Sequence, residues 1–213
     1  MALPLRLMAP PTTGRRVEMT DATSSRATRQ DEDDGAHAAD VRDAAAKQAS
    51  KHARLIRSAR DGRVLSALML PFFAVRPPSG YGVITTTGRK TGKARRKCIR
   101  VSRSANKAYI VMLRPPELAM TRPSAVAAWV WNIRANPNVH LRRRGGTFAG
   151  VARELKEPAE LEQAREALCE TVNLFDYGEC DLHLRGLPTR AKIKELHRYW
   201  FDTGIPLVVE LRD

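Results

Sequence analysis

The sequence predicts a mainly β fold of the α+β class: a barrel of about six mostly antiparallel strands with flanking helices. Three observations predict it. Short β-branched and apolar runs recur between Gly82 and Leu211, most of them joined by turns of hairpin length. Helical patterns interrupt the hairpins but do not follow every strand, so the alternation that builds a parallel sheet is missing. No G-x-G-x-x-G is present, which removes the usual signature of a dinucleotide-binding sheet.

Taken in order, residues 1–50 read as a disordered extension. They are rich in Thr, Ser, Ala, Arg and Asp, carry the acidic block Asp31 to Asp34, and have few large apolar side chains. Residues 51–78 form an amphipathic helix and linker. From Lys51 to Leu70, Leu55, Ile56, Leu65, Leu68 and Met69 interleave with Arg54, Arg57, Arg60 and Arg63, and Pro71 is expected to end the helix. This helix either covers one end of the core or lies on a membrane surface with its basic side toward lipid headgroups. Residues 79–213 form the barrel domain. Gly82 to Thr87 is the first strand, Lys97 to Arg103 the second and Lys107 to Leu113 the third. An irregular loop, Arg114 to Pro123, leads to a helix from Ala125 to Ala135, capped by Ser124 and stopped by Asn136-Pro137. Val139 to Arg143 and Phe148 to Leu155 flank Gly145-Gly146, a hairpin signal. Helices follow from Pro158 to about Val172 and from Pro188 to Phe201, and Pro206 to Leu211 is the last strand.

Charge is distributed unevenly. Residues 1–50 hold seven basic and eight acidic side chains, and residues 51–213 hold thirty and fifteen. So basic a folded part implies an anionic partner. The charge peaks between Gly88 and Arg103, where eight Lys and Arg occur without one acid. The turn within it, T-G-R-K-T-G-K-A-R, is expected to offer backbone N–H groups and cationic side chains to an oxyanion at the tip of a hairpin. The basic residues are not interleaved with aromatics, and no zinc or helix-turn-helix signature accompanies them, so no nucleic-acid partner is expected and a basic nucleic-acid-binding module is the lesser alternative. Cys98, Cys169 and Cys180 are widely spaced, with no C-x-x-C, and no metal is expected. The N-terminus lacks a hydrophobic run of signal-peptide length, which fits a cytoplasmic protein, with peripheral contact on the inner membrane face through residues 51–70 as the extension of that reading.

Three segments together resemble a known family. T-T-T-G-R-K-T-G-K-A-R from Thr85, A-W-V-W-N-I-R-A-N-P-N-V from Ala128 to Val139, and I-P-L-V-V-E-L at the end are similar to the deazaflavin (coenzyme F420)-dependent nitroreductase and quinone reductase family. The resemblance covers roughly Tyr81 to Leu211. It implies a flavin-reductase-like split β-barrel and hydride transfer from reduced F420 to a small electron-poor acceptor such as a quinone or nitroaromatic. It also implies a polyanionic cofactor, because F420 carries a phosphodiester and a glutamate tail. By the family's pattern, Arg89, Lys90, Thr91, Gly92, Lys93 and Arg95 would cradle that tail, Trp129 would lie near the ring or phosphate pocket, and Asn132 would fix its helix by hydrogen bonding. Trp131, two residues on, is expected to face the core. Tyr177 and His183 are the candidates for protonating the reduced acceptor. Two readings compete on cofactor and activity: a related barrel using FMN or another cofactor, and a carrier without turnover. Split barrels commonly pair, so a homodimer is expected by fold analogy. The sequence departs from the family where the acceptor would sit. Val130 follows Trp129 in place of a Tyr, and the Tyr-rich segment is reduced to Tyr177.

Overall fold

A computed structural model describes residues 21–49, 51 and 58–212. Six strands close into one barrel: β1 (Tyr81–Thr87), β2 (Ala94–Ser104), β3 (Lys107–Met112), β4 (Asn138–Arg143), β5 (Gly146–Glu154) and β6 (Ile205–Leu211). They are ordered β1-β2-β3-β6-β5-β4, and every neighbouring pair is antiparallel. Alternation decides which side chains fill it. Ile84, Ile99, Val101, Ala108, Ile110, Met112, Val139, Leu141, Leu207 and Val209 belong to one buried cluster. The opposite faces are also covered, since Tyr109, Val111 and Val208 pack with Leu168 and Phe201. That is why the third and last strands read as nearly continuous apolar runs.

The helices are α1 (Asp21–Ala49), α2 (Ala59–Val75), α3 (Pro116–Thr121), α4 (Ala128–Ala135), α5 (Pro158–Cys169), α6 (Leu174–His183) and α7 (Arg190–Thr203). Several differ from expectation. The extension read as disordered is helical from Asp21 to Ala49, with Val41 and Ala45 buried against Ile193, Leu196 and Trp200 of α7. Its alanines favour helix, and a few apolar contacts suffice to anchor its end. Residues 1–20, also read as disordered, lie outside the described residues. So do residues 52–57, the first turns expected of the amphipathic helix.

The described part of that helix starts at Ala59. Ser58 caps it: its hydroxyl accepts from the Asp61 N–H, and the Asp61 carboxylate accepts from the Ser58 N–H at 2.8 Å. It does not stop at Pro71 but continues to Val75. Pro71 removes one ladder hydrogen bond. Aromatic packing holds the last turn: Phe73 is buried, with its ring 5.9 Å from Tyr81 and 5.5 Å from Phe175. Met69, Leu70 and Phe73 pack toward the barrel, as the covering reading requires, while Val64, Leu68, Phe72 and Val75 are exposed. Among the described residues no helix is long and apolar enough to cross a membrane.

Other differences are local. The irregular loop contains α3. Ser124 caps nothing, because α4 begins only at Ala128, where the Ala127 carbonyl accepts from Val130 and Trp131. Between the two helices expected from Pro158 and from Pro188 the chain forms a further helix, α6; its start is fixed by Asp176, whose carboxylate accepts from the Asn173 N–H at 2.6 Å.

The junction between α7 and β6 is closely packed. A Cβ on Gly204 would lie 2.4 Å from the Trp200 carbonyl oxygen and 2.6 Å from that of Met112. Both are backbone atoms and cannot turn away. Gly204→Ala is therefore expected to lower stability by about 1–3 kcal/mol, read as a fall in the urea midpoint at unchanged slope. A change within error would mean that the junction relaxes freely.

Candidate functional site

A cleft of about 970 Å³ opens beside the barrel, walled by α2, α4, α6 and the β1–β2 hairpin. Its size is at the upper end for small-molecule sites. One lip is cationic and the remaining wall is largely apolar.

The hairpin tip, residues 88–93, forms the cationic lip. Gly92 takes a left-handed backbone, φ +65°, which a glycine adopts without strain. The turn closes on itself. The Gly88 N–H donates to the Lys93 carbonyl at 2.9 Å, and the Gly88 carbonyl accepts from Thr91 at 3.1 Å and Gly92 at 2.7 Å. The Arg89 N–H donates to Asn132 Oδ1 at 3.1 Å, and the Lys93 N–H to Thr91 Oγ1 at 3.4 Å. These backbone donors are committed to holding the turn. The expected presentation of N–H groups to an oxyanion is thus corrected: the tip offers charge through its side chains. Arg89, Lys90, Arg95, Arg96 and Lys97 line the cleft, as does Thr91; Gly92 and Lys93 do not. Among the described residues Arg89, Lys90, Lys93, Arg95 and Arg96 form no salt bridge.

Asn132 joins α4 to this hairpin. Besides accepting from Arg89, its Nδ2 donates to Thr86 Oγ1 at 3.2 Å, within a buried setting. Trp129 is half-buried, packs on the barrel core and lines the cleft. Trp131 does not face the core as expected. It is 42% exposed, with the Arg134 guanidinium 4.5 Å and the Arg89 guanidinium 5.5 Å from its ring centre. Core packing at this point is supplied by Val130 and Ile133, so an outward Trp stacked under two cations is the compatible arrangement.

At the other end the two proposed proton donors separate. His183 lines the cleft, buried, with its ring 5.1 Å from that of Trp200. Tyr177 is 36% exposed and does not line it.

The chain also builds a polar cluster here that residue types alone did not reveal. Tyr81 Oη lies 2.6 Å from Asp176 Oδ1 and in hydrogen-bond contact with a Glu179 carboxyl oxygen. Arg100 Nε stands 3.6 Å from Asp176, while its two terminal nitrogens donate to the Leu168 and Thr171 carbonyls at 2.5 and 2.7 Å. Burial pushes Glu179 up to about 7. Burial, and then the two carboxyls, raise Tyr81 well above the usual phenol range. Burial and the nearby Arg100 push His197 down to about 3. The three-residue spacing of Asp176 and Glu179, which puts both on one helix face, is the sequence signal that could have exposed this cluster.

Cys98, Cys169 and Cys180 are free thiols, and among the described residues no group of three or more His, Cys, Asp and Glu is placed to hold a metal.

Residues 77–181 match the F420H(2)-dependent quinone reductase family. Several solved structures are similar at low identity. A chain described as a domain-swapped dimer is 20% identical, with 62% of this chain and 81% of that one covered and a TM-score of 0.41. An F420-H2 dependent reductase (FDR-A) is 18% identical, covering 62% of this chain and 95% of its own, with a TM-score of 0.42. A heme-binding protein from Mycobacterium smegmatis is 14% identical, covering 66% and 48%, with a TM-score of 0.41. No curated protein matches the chain.

Proposed function

We propose, from the match of residues 77–181 to the F420H(2)-dependent quinone reductase family, that this chain is an oxidoreductase that uses coenzyme F420 and reduces a quinone-type acceptor in the cleft beside its barrel. One observation carries the reading. Cations that form no salt bridge among the described residues line one lip of a cleft whose remaining wall is largely apolar. That pattern fits a ligand with a polyanionic tail and a flat ring, and it exceeds what a single phosphate, as on FMN, would call for.

Reduced F420, when bound, supplies a hydride. The residues supply the rest. Arg89, Lys90, Arg95 and Arg96 neutralise the tail. Thr91, Gly92 and Lys93 shape the turn that carries those side chains, and Asn132 fixes the turn against α4. Trp129 offers a flat wall. Leu65, Met69, Leu70 and Phe73 from α2 exclude water, which strengthens electrostatic interactions within the cleft. The acceptor must be small and electron-poor to react there. His183 borders the same space.

The test is a fluorescence titration of F420 into the protein at low and high salt, followed by consumption of reduced F420 with a water-soluble benzoquinone. Saturable binding that salt weakens, with quinone-dependent turnover, is the expected result. Tight binding without turnover on any quinone would make the protein a carrier. Retention of FMN with no response to F420 would overturn the cofactor assignment for this chain.

A further inference from the structure

Two-electron reduction of a quinone by hydride leaves an oxygen that must acquire a proton. In an apolar cleft, water is a poor source. The proton donor should therefore be a side chain that borders the cleft and is neutral at working pH.

Glu179 meets both conditions. It lines the cleft with Phe73, Phe175 and Leu182, side chains that cannot solvate a charge. Its hydrogen bonding points the same way. Tyr81 Oη sits between two carboxyl groups, Asp176 and Glu179, yet a phenol has only one proton to donate. Asp176 already accepts from the Asn173 N–H and faces Arg100, so it has the partners a carboxylate needs. Tyr81 then donates to Asp176, and the contact on its other side requires the proton to come from Glu179. The groups acting on Glu179 are Tyr81 from β1, Arg100 from β2 and Asp176 from its own helix. Lys97, Arg63 and His183 border the same cleft, and α7 brings His197 near Arg100 and Asp176. Arg100, whose charge also reaches Glu179, is engaged with Asp176 and two carbonyls, and among the described residues Glu179 forms no salt bridge.

We propose that Glu179 is the acid that protonates the reduced acceptor, with Tyr81 as its positioning residue. The inference rests on the reductase reading above. In the balanced step the acceptor gains two electrons and one proton as hydride from the reduced cofactor. It gains a second proton from Glu179 and leaves as the hydroquinone. The Glu179 carboxylate regains a proton from solvent as the oxidised cofactor releases one. This assigns the role to neither Tyr177 nor His183.

Two readouts test it. The first uses the protein without cofactor. Infrared difference spectra between pH values below and above 7 should show a protonated-carboxyl band that titrates there and is missing in Glu179→Gln. Tyr81→Phe, which removes only the hydroxyl, should move that titration and the kcat–pH profile together. The second is kinetic. Glu179→Gln should lower kcat for benzoquinone by roughly 100-fold with F420 affinity unchanged. Wild-type kcat should fall as pH rises through the Glu179 titration, because the acid form is then lost. Glu179→Ala should regain turnover with added formate, which guards against a folding defect in one variant. Normal F420 binding with an unchanged kcat in Glu179→Gln, or no titrating band in the wild type, overturns this inference alone. No F420 binding by the wild type overturns the reductase reading on which it rests, whatever the band shows.

Discussion

Asp176→Ala lowers the free energy of unfolding by about 3–5 kcal/mol, the cost of removing one partner from a buried charged cluster. Asp176 is 1% exposed and Arg100 is 6% exposed. Among the described residues this carboxylate is the only one within 4.0 Å of that guanidinium; it also receives Tyr81 and closes the first turn of α6 through the Asn173 N–H. Alanine leaves a guanidinium in a place water cannot reach, satisfied only by the Leu168 and Thr171 carbonyls, and removes the helix cap at the same time. Asp176→Asn keeps the volume and one acceptor and should cost less. Urea unfolding at neutral pH compares the three proteins. A loss below about 1 kcal/mol for the alanine variant, the scale of an exposed ion pair, would mean that water enters and solvates Arg100.

The double variant Lys90→Ala/Arg95→Ala should bind F420 about 100-fold more weakly while its melting behaviour stays that of the wild type. Each charge-assisted contact contributes roughly 1.5–3 kcal/mol, and exposure places these two at the lower end, so together they lose about 3 kcal/mol, or two decades. Stability is unaffected because neither side chain makes a hydrogen bond or ion pair among the described interactions. The salt dependence of binding should flatten as well, since fewer charges remain to be screened. Equal affinity in variant and wild type, at matched salt, would remove the hairpin tip from the cofactor site.

The barrel was legible because its strands carry their own signals. K-A-Y-I-V-M and P-L-V-V-E-L are too apolar and too short for anything but buried strands, and Gly92 and Gly145 stand where hairpins need left-handed backbone. The cationic tip was legible for the same local reason. What escaped depends on partners remote in the chain. Pro71 sits inside a helix because Phe73 packs on Tyr81 and Phe175, residues that sequence does not bring near. Trp131 faces outward because two neighbours in its helix already fill the core. The committed amides of the hairpin tip follow from how tightly that turn closes. Glu179 is pushed up by burial in a cleft assembled from several elements, and it touches a phenol contributed ninety-eight positions earlier; no window of the sequence contains both.

The strand order has a consequence for how the protein is made. β6 is the last strand in the chain, yet it lies between β3 and β5 and pairs with both. Until it emerges from the ribosome, the β1–β2–β3 meander and the β4–β5 hairpin can meet only along β1 and β4, leaving β3 and β5 as open edges with unpaired backbone groups and apolar faces. From the completion of β5 until β6 emerges, the nascent chain therefore carries two sticky sheet edges, a state that invites pairing with other chains. One seven-residue segment closes both at once.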